Sequence, residues 1–379
     1  MSNTYRVGVI GGGRQGTVEA RAFVLHPSTK VVAVADTDAE NRAMFQDRFG
    51  VLGYGTYNEM LKQEQPDILL AALPVKANAD AVVAAARAGV KAVFCEKPLA
   101  GSLEDADRMV EECGSRGVLL GAGLMVSNHP DYRKAYQLVA GNEIGQVSRI
   151  NLYDGNGQGG CHGLNLARKF AGKPDVEWVI GWVESDPFSD YEEDYGEGNT
   201  WFGDIGGYIR FANGVECFSS FAHVRWQGIE VVGSDGVLRN SNNTSIGLKL
   251  LKTSGDRGPG GAGELVEVDG LFKEYAPEVR YDEEGWRNPG ETMMAIVQNL
   301  VDSLDTGSPL EITTGDDLRH ALEMAIALRE SHRKGHVPVS LPLDDRTLRL
   351  YPERGRWHYK KDVHGVEWYR EQMADHIRA

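Results

Sequence analysis

Through the first 125 residues, short apolar runs alternate with segments whose apolar positions recur at helical spacing. The runs Tyr5–Gly11, Lys30–Asp36, Asp67–Leu73, Val90–Cys95 and Val118–Leu124 predict strands. Gln15–Leu25, Ala39–Phe49, Asn78–Ala88 and Leu103–Ser115 predict helices, the last opened by Ser102 and Asp105 in the manner of a capping box. Short apolar strands separated by helices of this length predict a parallel sheet covered on both faces. After Val126 the pattern changes. A helix is predicted at Asp131–Ala140 and a strand at Gln146–Asp154. A glycine-rich loop, Gly155–Gly160, then leads to a helix ending at Phe170. Strand-like runs at Trp178–Val183, Gly207–Phe211, Cys217–Val224 and Ile229–Val232 are punctuated by Asn213-Gly214 and Asp235-Gly236, which read as hairpin turns. This second region is therefore mostly antiparallel sheet. A surface loop at Thr253–Gly263 and two helices, Gly290–Leu304 and Gly315–Lys334, follow. The expected division is a first domain at 1–126, a second at 127–343 with its late helices packing back on the first, and a C-terminal extension at 344–379. That extension carries Trp357, Tyr359, Trp368 and Tyr369 and is too aromatic to be a disordered tail.

The first strand runs directly into Gly11-x-Gly13-x-x-Gly16, and a helix follows. This is the strand–turn–helix setting of a dinucleotide fingerprint. Gly11 allows the tight turn, Gly13 lets backbone approach a pyrophosphate at the helix N-terminus, and Gly16 permits close packing. Asp36 ends the next strand, twenty residues beyond Gly16, where an acid meets ribose hydroxyls. Thr37 and Asp38 follow it. An Arg or Lys would be needed there for a 2′-phosphate, so NAD(H) is favoured over NADP(H).

Composition narrows the partners. The 379 residues carry a net charge of −15, which argues against nucleic acid and anionic membranes. No apolar run approaches the ~20 residues of a membrane span, and with a strand beginning at Tyr5 no signal peptide is expected. Cys95, Cys113, Cys161 and Cys217 have no zinc or C-x-x-C spacing, so no metal site is expected and the thiols read as those of a cytoplasmic protein.

In a parallel sheet of this kind ligands bind at the carboxyl ends of the strands. That rule gives weight to Leu73-Pro74 and to Cys95-Glu96-Lys97-Pro98. Lys97 can hold a substrate oxygen or, desolvated, act as base, and Glu96 can orient it. In the second region His162 opens a helix after the glycine-rich loop and can exchange a proton with an alcohol or carbonyl. Gln158, Asn165 and Asp154 lie near it in sequence as candidates to read hydroxyls; Gln158 can hydrogen-bond but cannot take a proton. Cys161 has no accompanying nucleophile signature.

Together G-G-G-R-Q-G, A-V-F-C-E-K-P-L-A (Ala92–Ala100), C-H-G-L-N-L-A-R-K-F-A-G (Cys161–Gly172) and N-L-V-D-S-L-D-T-G-S-P-L (Asn299–Leu310) resemble the glucose–fructose oxidoreductase, inositol dehydrogenase and rhizopine-catabolism family, over Tyr5 to about Leu343. The resemblance implies an α/β chain: an N-terminal Rossmann doubly wound parallel sheet, then an α+β domain with a large open sheet through which subunits pair as homodimers or homotetramers. It implies Lys97 as the catalytic lysine, and His162 as the histidine contacting substrate and nicotinamide. Gly13, Arg14 and Gln15 fall on the pyrophosphate turn, and Leu73, Pro74 and Asn78 on cofactor-contact positions. Four positions depart from the pattern. Gln158 stands where the family carries an Asp, Asn165 replaces another Asp, and Leu73 and Asn78 replace a Thr and a His.

The expected activity is hydride transfer between nicotinamide and a hydroxyl or carbonyl carbon of a sugar, sugar derivative or cyclitol. Two alternatives stand beside it: glycoside hydrolysis or elimination through transient internal oxidation by bound NAD, for which the missing Asp leaves room, and a non-catalytic NAD-binding sensor.

Overall fold

The computed structural model describes residues 4–153, 160–183, 205–220, 228–240, 247–254, 263–273, 289–350 and 367–368. Asp154, Gln158, the acidic loop Glu184–Gly203, the far end of the Cys217–Val224 run and most of the aromatic C-terminal segment lie outside them.

The first sheet has six parallel strands: β1 (Tyr5–Ile10), β2 (Thr29–Ala35), β3 (Leu52–Tyr54), β4 (Ile68–Ala71), β5 (Ala92–Cys95) and β6 (Leu119–Ala122), in the order β3-β2-β1-β4-β5-β6. Between them run α1 (Arg14–Leu25), α2 (Ala39–Phe49), α3 (Tyr57–Glu64), α4 (Val75–Ala88) and α5 (Leu103–Ser115). Successive residues of the central strands feed two separate cores. Leu69, Ala71, Val93 and Cys95 join one, against α4 and α5; Ile68, Leu70, Ala92 and Phe94 join the other, against Phe23 of α1. Burial on both faces is why these strands read as continuous apolar runs rather than alternating ones. β3 and α3 were not predicted. β3 is a three-residue edge strand with no fully buried position, and α3 buries only Met60 and Leu61, so neither leaves a strong apolar signature.

The second sheet takes the order β14-β13-β12-β11-β7-β10-β9-β8-β15. Its strands are β7 (Val147–Tyr153), β8 (Val176–Val183), β9 (Ile205–Phe211), β10 (Glu216–Ser219), β11 (Gly228–Gly233), β12 (Gly236–Asn240), β13 (Leu248–Thr253), β14 (Leu265–Glu267) and β15 (Val339–Ser340). All described pairings are antiparallel except β7 with β10. The Asn213-Gly214 and Asp235-Gly236 turns join β9 to β10 and β11 to β12, as their sequences predict. The strands β12 to β15 escaped the sequence reading; β14 and β15 are only three and two residues long.

Helices α6 (Pro130–Ala140) and α7 (Gly163–Phe170) lead into this sheet, and α8 (Gly290–Thr306) and α9 (Gly315–Arg333) close the fold. α9 lies on the inner face of the second sheet over Gly181 of β8 and Gly207 of β9, which are paired in register. A Cβ at Gly181 would run into the Leu328 backbone, so the helix seats where the sheet has no side chains. α8 instead crosses to the first sheet: Met293, Ile296, Val297, Leu300 and Val301 share one core with Tyr5, Val7, Val9 and Phe23. The other face of the second sheet carries Trp178 against Tyr208 (5.4 Å between ring centroids), Trp182 against Phe218 (6.0 Å), and the Arg210–Glu216 ion pair.

Candidate functional site

Because all six strands of the first sheet point the same way, their carboxyl ends gather the turns Gly11–Gly16, Asp36–Asp38, Leu73–Val75 and Glu96–Leu99 along one edge. Gly11 adopts φ +91°, and a Cβ there would collide with the Ala72 carbonyl. At Gly16 a Cβ would strike the Gly11 carbonyl, so helix and turn touch backbone to backbone. Gly13 is the N-cap of α1. No side chain caps the helix and no acid lies in its first turn, which leaves its N-terminal N–H groups and partial positive charge for an anion. These features fit a pyrophosphate.

Asp36 stands at the end of β2. One carboxylate oxygen accepts from Gly12 N and the other from Asp38 N, each at 2.8 Å. Burial raises its carboxyl above the ordinary value, and the two amide bonds partly oppose that. Thr37 and Asp38 are exposed beside it. Asp38 caps α2 by accepting from Glu40 N and Asn41 N. Arg42, which the sequence reading passed over, donates Nη1 to the Asp36 carbonyl at 2.7 Å and brings a cation to this corner.

Half-buried Leu73 and exposed Pro74 form the approach to α4. Asn78, expected at the cofactor, turns inward instead. It is 1% exposed, and its Nδ2 donates to the Pro98 and Leu99 carbonyls at 3.0 and 3.3 Å. It braces the turn that carries Lys97; its Oδ1 is buried without a partner.

Glu96 follows β5, with its amide bonded to the Ala71 carbonyl. Beneath it lies Glu19 of α1, a second acid that its polar helical position did not advertise. Gln15 Nε2 reaches Glu19 Oε1 at 3.0 Å and Glu96 Oε1 at 3.4 Å. The Glu19 carboxyl is raised well above the usual range, first by burial, then by the neighbouring Glu96 charge and a hydrogen bond to it.

His162 caps α7 on the second-sheet side, with its Nδ1 buried and unpartnered. Burial, then the charge of Lys97, pushes its imidazole down to about 3, so it is neutral through the physiological range. Lys97 and His162 thus share one electrostatic environment although one follows β5 and the other opens α7. Asn165, one turn on, was expected to face substrate. Its Nδ2 instead donates to Ser127 Oγ at 3.2 Å and to Thr313 Oγ1 at 3.5 Å, and the residue is buried. Asn128 completes this knot, donating to the Ala122 carbonyl and accepting from Thr313 N at 2.7 Å. The knot joins the end of β6, the start of α9 and α7. Cys161 is a buried thiol.

Residues 5–124 match the family described as "Oxidoreductase family, NAD-binding Rossmann fold". Over these residues the chain matches the glucose–fructose oxidoreductase, inositol dehydrogenase and rhizopine-catabolism family. Members of this oxidoreductase family similar to the chain include the myo-inositol 2-dehydrogenase of Thermotoga maritima, 28% identical over 67% of this chain and 80% of that enzyme. The D-xylose 1-dehydrogenase (NADP(+)) 2 of Haloferax volcanii is 29% identical over 44% of this chain and 58% of that enzyme. The fold matches that of an Agrobacterium radiobacter oxidoreductase solved with NAD+, L-tartaric acid and magnesium, with a TM-score of 0.69 at 20% identity over 89% of this chain and 98% of that one. The chain is thus an oxidoreductase whose first sheet is an NAD-binding Rossmann fold. No helix among its described residues is long and apolar enough to cross a membrane.

Proposed function

We propose that the protein is an NAD(H)-dependent dehydrogenase or reductase acting on a hydroxyl-bearing carbon of a sugar, sugar derivative or cyclitol. The observation that carries this reading is the charge of Lys97, at the carboxyl end of β5, acting on a neutral His162 at the N-cap of α7, whose Nδ1 is buried without a partner. The named activities of the inositol and xylose relatives support the substrate class. NAD(H) over NADP(H) rests on the Asp36 carboxylate, which would repel a 2′-phosphate.

Bound nicotinamide supplies the hydride acceptor or donor. Gly11, Gly13, Arg14, Gln15 and Gly16 hold the pyrophosphate end of the dinucleotide, Asp36 and Thr37 the ribose end, and Leu73, Pro74 and Glu96 border the nicotinamide end. Lys97 donates to the substrate oxygen and polarises it. His162 Nδ1 or Nε2, neutral at working pH, takes the hydroxyl proton in oxidation and returns it in reduction. Gln158 and Asp154 read the remaining hydroxyls, whereas the inward amide of Asn165 supports α7 from behind. A homodimer or homotetramer through the aromatic outer face of the second sheet, in the cytoplasm, completes the reading.

The test is steady-state turnover of cyclitols and aldoses with either nicotinamide cofactor, in the native chain, Lys97→Ala and His162→Ala. Both variants should lose roughly 100-fold or more in kcat while still binding NAD. Unchanged turnover in both would overturn the assignment. Release of an aglycone without net NADH would favour the internal-oxidation alternative, and NAD binding with no turnover on any polyol would favour the sensor.

A further inference from the structure

A buried acid that the hydride-transfer reading leaves unused lies beside Glu96, the residue before Lys97. Glu19 is 1% exposed on α1, with Oε1 held by Gln15 and Oε2 sealed from solvent. Glu96, 8% exposed, takes the other contact from the same Gln15 amide. Gly123, just beyond β6, leaves the room that Glu96 occupies, since a Cβ there would stand 3.0 Å from Glu96 Oε1. Gln15 itself is exposed, so it roofs two carboxyl groups that meet beneath it.

Two carboxylates cannot both be ionised at such a site without large mutual repulsion and desolvation. The charged or titratable groups acting on Glu19 are Glu96 and Lys97; Cys95 beside them is held as the neutral thiol by burial and by both acids. We propose that Glu19 is a positioning residue for Lys97, holding one proton against Glu96 so that the buried pair presents a single negative charge to the ammonium.

The arrangement sets two things at once. One negative charge beside Lys97 orients its side chain to donate to the substrate oxygen. The proton shared with Glu19 fixes the rotamer of Glu96, whose backbone continues directly into Lys97. A doubly ionised pair would draw the ammonium inward, and a fully neutral pair would release it.

The proposal rests on Lys97 holding the substrate oxygen, so its test separates the two ideas. Infrared difference spectra of the ligand-free protein, wild type against Glu19→Gln at neutral pH, should contain the carbonyl stretch of a protonated carboxylic acid in the wild type alone. Glutamine mimics the protonated acid and keeps a donor toward Glu96. Glu19→Gln should therefore restore most of the kcat that Glu19→Ala loses, a loss of about tenfold or more with little change in KM. Absence of the band, or a Glu19→Gln variant as impaired as Glu19→Ala, overturns the proposal while leaving the role of Lys97 intact. Turnover undiminished in Lys97→Ala removes the role of Lys97 and the proposal with it, whatever the infrared band shows. Should Glu19→Ala fail to fold, the infrared comparison, which does not need that variant, decides alone.

Discussion

Replacing Asn78 with alanine distinguishes a brace from a cofactor contact. The side chain sits at 1% exposure in the first turns of α4, and its Nδ2 donates to two carbonyls of the turn that follows Lys97. Two neutral hydrogen bonds contribute roughly 1–3 kcal/mol together, at ~0.5–1.5 kcal/mol each. Removing the unpartnered Oδ1 returns part of that, so Asn78→Ala is expected to lower stability by about 1–2 kcal/mol. With the brace gone, the Lys97 turn is less well fixed and kcat should fall several-fold. NAD affinity should stay nearly unchanged, because the donor points into the protein. Urea unfolding of the ligand-free protein gives the first quantity, and NAD titration with steady-state kinetics gives the others. A variant as stable as the wild type whose NAD affinity falls tenfold would refute the brace and return Asn78 to the cofactor.

Two further outcomes follow from features remote from that turn. His162 is held down to about 3, against 6.5 for a free imidazole, so below pH 6.5 the unfolded chain binds a proton that the folded one does not. Stability should therefore fall as pH drops from about 6.5 toward 3, and His162→Gln should flatten that part of a melting-temperature profile; an unchanged slope would contradict the buried neutral imidazole. Among the glycines, Gly181→Ala should destabilise by about 1–3 kcal/mol or more by pressing on the Leu328 backbone, while Gly114→Ala in α5, with open space around it, should stabilise by about 0.4–1 kcal/mol. Parallel denaturation curves check the pair, and equal effects would count against the close seating of α9.

The parts of the candidate site whose placement was legible in the sequence were those where backbone geometry restricts residue choice. The turn at Gly11 admits no side chain, and Asp36 sits at a fixed distance along the chain from Gly16. The position of Lys97 after a strand and that of His162 at a loop–helix junction were legible in the same way. What stayed hidden were side chains whose direction depends on tertiary packing. Glu19 occupies a polar position in α1 that could equally have faced water, yet it is buried against Glu96. Asn165 and Asn78 carry the right chemistry for ligands but face inward, because α7 and α4 turn those positions toward Ser127 and toward the Pro98 and Leu99 carbonyls. Every residue of α7 from Gly163 to Phe170 is buried, Arg168 and Lys169 included, so charge alone would have misjudged that helix.

The shared core of β1 and α8 has a consequence in time. Tyr5 donates its hydroxyl to Asp305 at 2.7 Å, across 300 residues, and Val7, Val9 and Phe23 are covered by Met293 to Val301. On a ribosome adding ~5–20 residues per second, the part of that face not covered by α1 and α2 waits roughly 15–60 s for α8. The opposite face closes with α4 and α5, which emerge early. The first sheet is thus made before the helix that completes it, and the part of its face left for α8 is the surface on which chaperone engagement during synthesis should concentrate.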